Sequence, residues 1–325
     1  MAAGISFEVL DLRHFTAPQL KPLLEAEADV WSRRLHWDYR ASSRLLMQYL
    51  DNRMLPGYAA LDSGQITGYT FCVYEDDKAV IGDVFAVDAG GTSPPSPALS
   101  IEQTLLGHLF ETLLSSPQVE RIESQLLLHP SGTHAPLFRQ AGFELYRRLF
   151  MVQKLDGPWA APELHLPAGL ELRPWRDDDL NPASRLIAEA YSGHSDSLIN
   201  HQYRSPNGSM RFLNNIVRYA GCGVFAPASS HVVVERSSRE LVALVLGSRV
   251  SPVSGHITQL CVHPRCRRQG LARMLLSLSA SHFMRQGVSE ISLTVTEANT
   301  DAVSLYQAQG YETRHTFDAA VWQRA

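Results

Sequence analysis

The sequence predicts two tandem α/β (α+β) domains, each a mixed, mostly antiparallel sheet flanked by helices. Three observations carry this reading. The chain has 325 residues, whereas one core usually serves ~100–200. Apolar β-rich runs meet across short turns, as in hairpins, and also alternate with helical runs, as in strand–helix–strand units. The order of these runs then repeats in the second half. The limits read as 1–155 for the first domain, 156–166 for a linker and 167–325 for the second domain. The linker contains Gly157, Pro158 and Pro162 and shows no apolar period.

Each half opens with a strand, Ile5–Leu10 and Leu170–Pro174, followed by a helix, Ala17–Val30 and Asn181–Tyr191. A hairpin comes next. In the first half Gly57–Leu61 and Thr67–Tyr74 flank Asp62-Ser63-Gly64; in the second His231–Glu235 and Leu241–Val250 flank Arg236–Arg239. A further strand follows, Ala79–Val87 and His256–Val262, then an amphipathic helix, Ile101–Leu114 and Leu271–Met284. Strands at Arg121–Leu128 and Glu290–Thr296 precede a short helix ending in Gly142-Phe143 or Gly310-Tyr311 and a last strand.

Composition narrows the function. With 45% hydrophobic and 19% charged residues the chain is globular in type. A formal net charge of −4 argues against a general nucleic-acid binder. The N-terminus shows no signal peptide and no run approaches a membrane span, so a cytoplasmic protein without membrane partner is expected. Cys72, Cys222, Cys261 and Cys266 form no C-x-x-C pair, and the scattered histidines show no zinc-like spacing, so no metal is expected.

The most informative stretch runs from Gln259 to Ala272. An apolar strand ends at Val262, a proline turn follows at Pro264, and a basic loop, Arg267-Arg268-Gln269-Gly270, leads into a helix at Leu271. The start of a helix offers free N–H groups and partial positive charge, which suit a phosphate. Gly270 and Ala272 allow close backbone approach, and the two arginines add charge. Taken alone, such a loop is equally a solvated turn. Downstream lies the run from Glu297 to Tyr311, containing Asn299, Ala302, Tyr306, Gly310 and Tyr311.

These pieces, Leu260/Val262/Pro264, Arg267/Gly270/Ala272 and Asn299/Ala302/Tyr306/Gly310/Tyr311, resemble the GNAT superfamily of N-acetyltransferases in order and spacing. The resemblance is close over the last third of the chain and covers the C-terminal half in outline. It implies acetyl transfer from acetyl-CoA to a primary amine, in a small molecule or a peptide, by direct attack in a ternary complex. It implies that the backbone of Leu260, Cys261 and Val262 pairs with the pantetheine arm. The loop Arg267, Arg268, Gln269, Gly270, Leu271 and Ala272 then cradles the pyrophosphate. Tyr306 protonates the departing thiolate. Asn299 holds the cofactor arm, or caps the next helix. His256, on the strand leading to Val262, is the candidate base; Glu297 or a water chain are alternatives. A polar region around Tyr191, His194, Asp196, His201, Tyr203 and Arg204 is expected to receive the acceptor.

The first half keeps the plan and loses the parts. After Val87 the chain reads Asp88-Ala89-Gly90-Gly91-Thr92-Ser93-Pro94-Pro95-Ser96-Pro97, without an arginine. Phe138 stands where Tyr306 stands, and Ser131 where Asn299 stands. One working site, in the second half, is therefore expected. The competing reading is an acyl-CoA sensor or scaffold without turnover; an intact Tyr306 and an intact loop oppose it.

Overall fold

Two-residue turn chemistry sets the first hairpin. Ser63 and Gly64 both take left-handed backbone, φ 51° and 81°, the geometry whose twist matches paired strands. The structure, a computed structural model, describes residues 7–87, 97–155, 166–219 and 222–324. The expected linker lies almost wholly outside the described residues, as does the proline-rich loop after Val87.

In chain order the first half contains β1 (Glu8–Asp11), α1 (Ala17–Leu35), α2 (Arg40–Asp51), β2 (Gly57–Asp62), β3 (Gln65–Glu75), β4 (Lys78–Ala86), α3 (Pro97–Ser115), β5 (Arg121–Gln125), α4 (Ala135–Gln140) and β6 (Glu144–Lys154). The second contains β7 (Leu170–Pro174), α5 (Leu180–Ala190), α6 (Asp196–Ile199), α7 (Pro206–Val217), β8 (Val224–Phe225), β9 (His231–Glu235), β10 (Leu241–Arg249), β11 (Ser254–Val262), α8 (Leu271–Arg285), β12 (Glu290–Thr296), α9 (Thr300–Ala308) and β13 (Glu312–Gln323). The mixed, mostly antiparallel sheet flanked by helices is present in both halves. Helices α2 and α7 are additions to the sequence reading.

The compact units depart from the limits 1–155 and 167–325. One comprises Met1–Leu35, Tyr39–Arg147 and Thr316–Ala325; the other comprises His36–Asp38 and Arg148–His315. The closing strands are exchanged. In the first unit β13 pairs antiparallel with β5, Ala319–Gln323 against Gln125–Arg121. In the second, Arg148–Lys154 of β6 pairs antiparallel with Thr296–Glu290 of β12. A strand end joins whichever sheet edge it reaches, and no local pattern states which.

The sheet of the second unit positions the site. Its core strand β10 reads LVALVLGSR and is buried at every position but the last, the continuous apolar run of a strand covered on both faces. Helix α5 buries Ala183, Leu186, Ile187 and Ala190, one helical stripe, on one face. Helix α8 covers the other with Leu271, Met274, Leu275 and Phe283. It comes unusually near because Gly247 and Gly255 lack side chains: a Cβ at either would lie 2.8–2.9 Å from the Phe283 ring. Trp31 stacks on Tyr39 in the first unit, while Trp37 packs against His256 in the second.

Candidate active site

Strand β11 makes two different pairings along its length. Ser254–Ile257 runs parallel to Glu290–Leu293 of β12. Beyond Ile257 it stays on β10, with Gln259–Val262 opposite Leu246–Ala243. Leu246 faces Gln259 and Gly247 faces Ile257, so Thr258 is an extra residue in the ladder. Such a bulge bends a strand and ends pairing. Thr294–Thr296 meanwhile stays on β6. A cleft therefore opens between the ends of β11 and β12. The His263 N–H donates to the Val242 carbonyl on β10. By strand alternation the amide groups of Val262 and Leu260 face the opposite way, into the cleft.

The cleft is a cavity of about 470 Å³. Leu260, Cys261, Val262, Arg267, Arg268, Gly270, Leu271, Ala272, Asn299 and Tyr306 all line it. Gln269 and His256 are not among its lining residues.

At the mouth, Arg268 and Gly270 take left-handed backbone, φ 63° and 81°, and deliver the chain to the start of α8. A Cβ on Gly270 would meet no atom, so it is the left-handed backbone alone that favours glycine there. Arg267 is committed to structure: its Nη2 donates to the Ala190 carbonyl at 2.8 Å and its Nε to the Val262 carbonyl at 3.3 Å. Arg268 is 87% exposed and its Nη1 stands 3.8 Å from Asp301 Oδ2, an exposed ion pair that an anion at the mouth can displace. Arg273 also lines the cavity. A cation in the first turn opposes the helix dipole unless an anion sits there, and this was a signal legible in the sequence.

Deeper in, the Tyr306 hydroxyl shares the cavity with Asp196 and Arg148. Burial pushes the Tyr306 phenol well up, with the Asp196 charge adding to it. The Arg148 guanidinium donates to Thr296 Oγ1 and Thr294 Oγ1, both at 3.2 Å, and lies 3.8 Å from Asp196 Oδ1. Thr296 also donates to Asp196. Tyr191 stacks on Tyr203 with centroids 4.5 Å apart. Of the expected acceptor region, Tyr191, His194, Asp196 and Tyr203 reach the cavity, and His201 and Arg204 do not line it. Arg148 and Gln259 line the cavity, and each carries a buried donor, Nε and Nε2, without a partner among the described residues.

The sequence reading missed Arg148, which β6 brings from far away in the chain, and Gln259. His256 requires correction. It is buried, its Nδ1 is hydrogen-bonded to Ser292 Oγ at 2.9 Å, and its ring packs on Trp37. Burial lowers its pKa to about 4, and it has no surface on the cavity through which to take a proton. Glu297 is exposed and is likewise not a lining residue. Asn299 accepts from the Ala302 N–H at 3.3 Å as the cap of α9. Cys261 is a buried thiol whose pKa burial raises, so it stays protonated and serves packing.

The four cysteines are free thiols, and no described helix is long and apolar enough to cross a membrane. The model of the acetyltransferase (GNAT) family matches residues 196–311. Two curated relatives extend the likeness over most of the chain, and both are named mycothiol acetyltransferase. The one from Geodermatophilus obscurus is 27% identical over 99% of this chain and 95% of its own length. The one from Thermobispora bispora is 30% identical over 80% of this chain and 85% of its own. Among solved structures, a GCN5-related N-acetyltransferase from Sphaerobacter thermophilus matches with a TM-score of 0.68 at 17% identity, covering 98% of this chain and 95% of that one. A tandem GNAT protein of the clavulanic acid biosynthesis pathway matches with a TM-score of 0.63 at 15% identity, covering 98% of each. The splayed strands, the helix start beside them and these relatives agree: the chain belongs to the GNAT acetyltransferase family and is an N-acetyltransferase.

Proposed function

We propose that the chain moves an acetyl group from acetyl-CoA to the primary amine of a small molecule, by direct attack in a ternary complex at one site in its second unit. The observation that carries this is the cleft between β11 and β12. It joins strand groups at Leu260 and Val262 that no neighbouring strand pairs, the start of α8, and Tyr306 in one cavity. Acetyl-CoA supplies the activated acyl group. Leu260 and Val262 offer amide groups to its pantetheine arm, as a neighbouring strand would. The first N–H groups of α8, with Arg268 and Arg273, hold its pyrophosphate.

The remaining chemistry is proton traffic. As the C–N bond forms, the amine must lose a proton, and the Asp196 carboxylate is the base we assign. Thr296 and Arg148 hold it in place. As the C–S bond breaks, the thiolate needs a proton. Tyr306 gives it, because burial keeps the phenol protonated until then. The stacked Tyr191 and Tyr203, together with His194, form the acceptor end. The relatives' names point to an acceptor of the mycothiol kind; a peptide amine is the other class the cavity's open end allows.

Calorimetric titration with acetyl-CoA or CoA is expected to show one site per chain. Two equal sites, or none, would overturn the assignment. A panel of amines of the mycothiol kind, amino acids, aminoglycosides and peptides, read by mass gain on the acceptor amine, then identifies the partner.

A further inference from the structure

The first unit has its own cleft at the corresponding place. Strands β4 and β5 pair in parallel only over Lys78–Ile81 and Arg121–Ser124. Aligning the nine-residue strands Lys78–Ala86 and Ser254–Val262 sets Val84 on Leu260 and Ala86 on Val262. In the first unit, side chains take up the backbone groups at these positions. His129 Nε2 donates to the Val84 carbonyl at 2.8 Å. The Ala86 N–H donates to Glu102 Oε1 at 3.2 Å.

These two contacts orient what remains. With its proton on Nε2, His129 presents a bare Nδ1, 3.3 Å from His134 Nε2 and 3.7 Å from Glu102 Oε2. His134 Nε2 lies 3.4 Å from the same Glu102 oxygen. His134 is 4% exposed, and its other ring nitrogen, Nδ1, is buried without a partner. With the His134 proton on Nδ1, two lone pairs and a carboxylate oxygen face one another. A tetrahedral ion with bonds of about 2.1 Å spaces its donors about 3.4 Å apart, close to the three separations found. A small cavity of about 20 Å³ adjoins His129 and His134, enough for one water and for nothing larger.

We propose that Glu102, His129 and His134 form a zinc site in the first unit, binding through Oε2, Nδ1 and Nε2, with one water as fourth ligand. The two backbone contacts are those expected around a metal: a ligating histidine gives its other N–H to a carbonyl, and the ligating carboxylate is itself hydrogen-bonded. The ion's role is structural. It closes the cleft from within and ties α3, which carries Glu102, to the segment following β5. The expectation of no zinc-like histidine spacing is corrected here: His129 and His134 stand at H-x4-H, a spacing usual for zinc, while Glu102 stands far from the pair in the chain.

The test uses the full chain, stripped by chelator and titrated with Co²⁺ as a spectroscopic stand-in for zinc. One equivalent is expected, with the intense visible absorption of a four-coordinate ion, displaced by stoichiometric Zn²⁺. His134→Gln and Glu102→Gln should each weaken uptake by about 10–100-fold or more, while His282→Gln, remote from the cluster, leaves it unchanged. X-ray absorption on the zinc-loaded wild-type chain reads the same site with no substitution, should the variants not fold. A four-coordinate shell of nitrogen and oxygen with two imidazoles supports the proposal. No stoichiometric uptake, a six-coordinate or sulfur-containing shell, or uptake untouched by both ligand substitutions in folded protein overturns it.

Discussion

At Tyr306 the hydroxyl sits on a ring packed against Tyr311, with centroids 5.8 Å apart, and burial holds its proton on. Tyr306→Phe removes that proton and keeps the ring. General acid catalysis contributes ~10²–10⁴-fold, so kcat is expected to fall by that order while CoA affinity, measured calorimetrically, holds. Unchanged turnover would take Tyr306 off the reaction path. Asp196→Asn keeps the size and the hydrogen bond from Thr296 but loses the charge. Its kcat should drop about 10²-fold or more, with folding intact by circular dichroism. His256→Asn in parallel should leave kcat little changed, because His256 has no face on the cavity. If the two substitutions exchange these outcomes, the base is His256 after all.

At the scale of an element, the start of α8 is a backbone device. Gly270 at φ 81° is left-handed, a conformation that costs other residues about 1–2 kcal/mol. Gly270→Ala should therefore lower stability by that amount and touch CoA affinity little. Gly270→Glu adds the same strain and also a carboxylate where the pyrophosphate binds. The helix dipole tolerates that charge, so folding suffers no more than in the alanine variant. CoA, however, should bind at least about tenfold more weakly, a difference of about 1.4 kcal/mol. Equal affinity of the two variants would place the pyrophosphate elsewhere. Strand β11 works by the same economy of means: one extra residue, Thr258, ends its pairing with β12 and opens the cavity.

Across the whole molecule, buried neutral histidines link folding to pH. Burial pushes His231 and His256 down to about 4, from an ordinary value of 6.5. Between those values the unfolded chain binds protons that the folded one refuses. Stability therefore rises with pH through this window and is lost as pH falls from 6.5 towards 4. Each histidine contributes at most on the order of 3 kcal/mol. Glu27 and Asp83, raised by burial, act with the opposite sign, because they hold protons in the folded state that the unfolded chain releases. Melting temperatures of wild type and His231→Gln, measured from neutral to mildly acid pH, separate the two effects. The variant's curve should be flatter; parallel curves would show that His231 does not contribute.

What the sequence determined by itself is the local grammar. The duplicated plan, the strand that ends at Val262, the basic loop into α8 and the helix bearing Tyr306 follow from apolar period, proline, glycine and charge within short windows. Those properties belong to neighbouring residues, so they survive without a fold. Helices α2 and α7 were legible and were passed over: their apolar stripes are as clear as that of α5, with Leu46 and Leu50, and Leu213 and Ile216, on the buried face. The tertiary structure alone decided the rest. It exchanged the ends of β6 and β13, carried Arg148 to Asp196, turned His256 into the core and gathered Glu102, His129 and His134. Each of these joins residues distant in the chain, and such meetings are set by which sheet edge or helix face remains to be covered, a property of the packed molecule rather than of any segment.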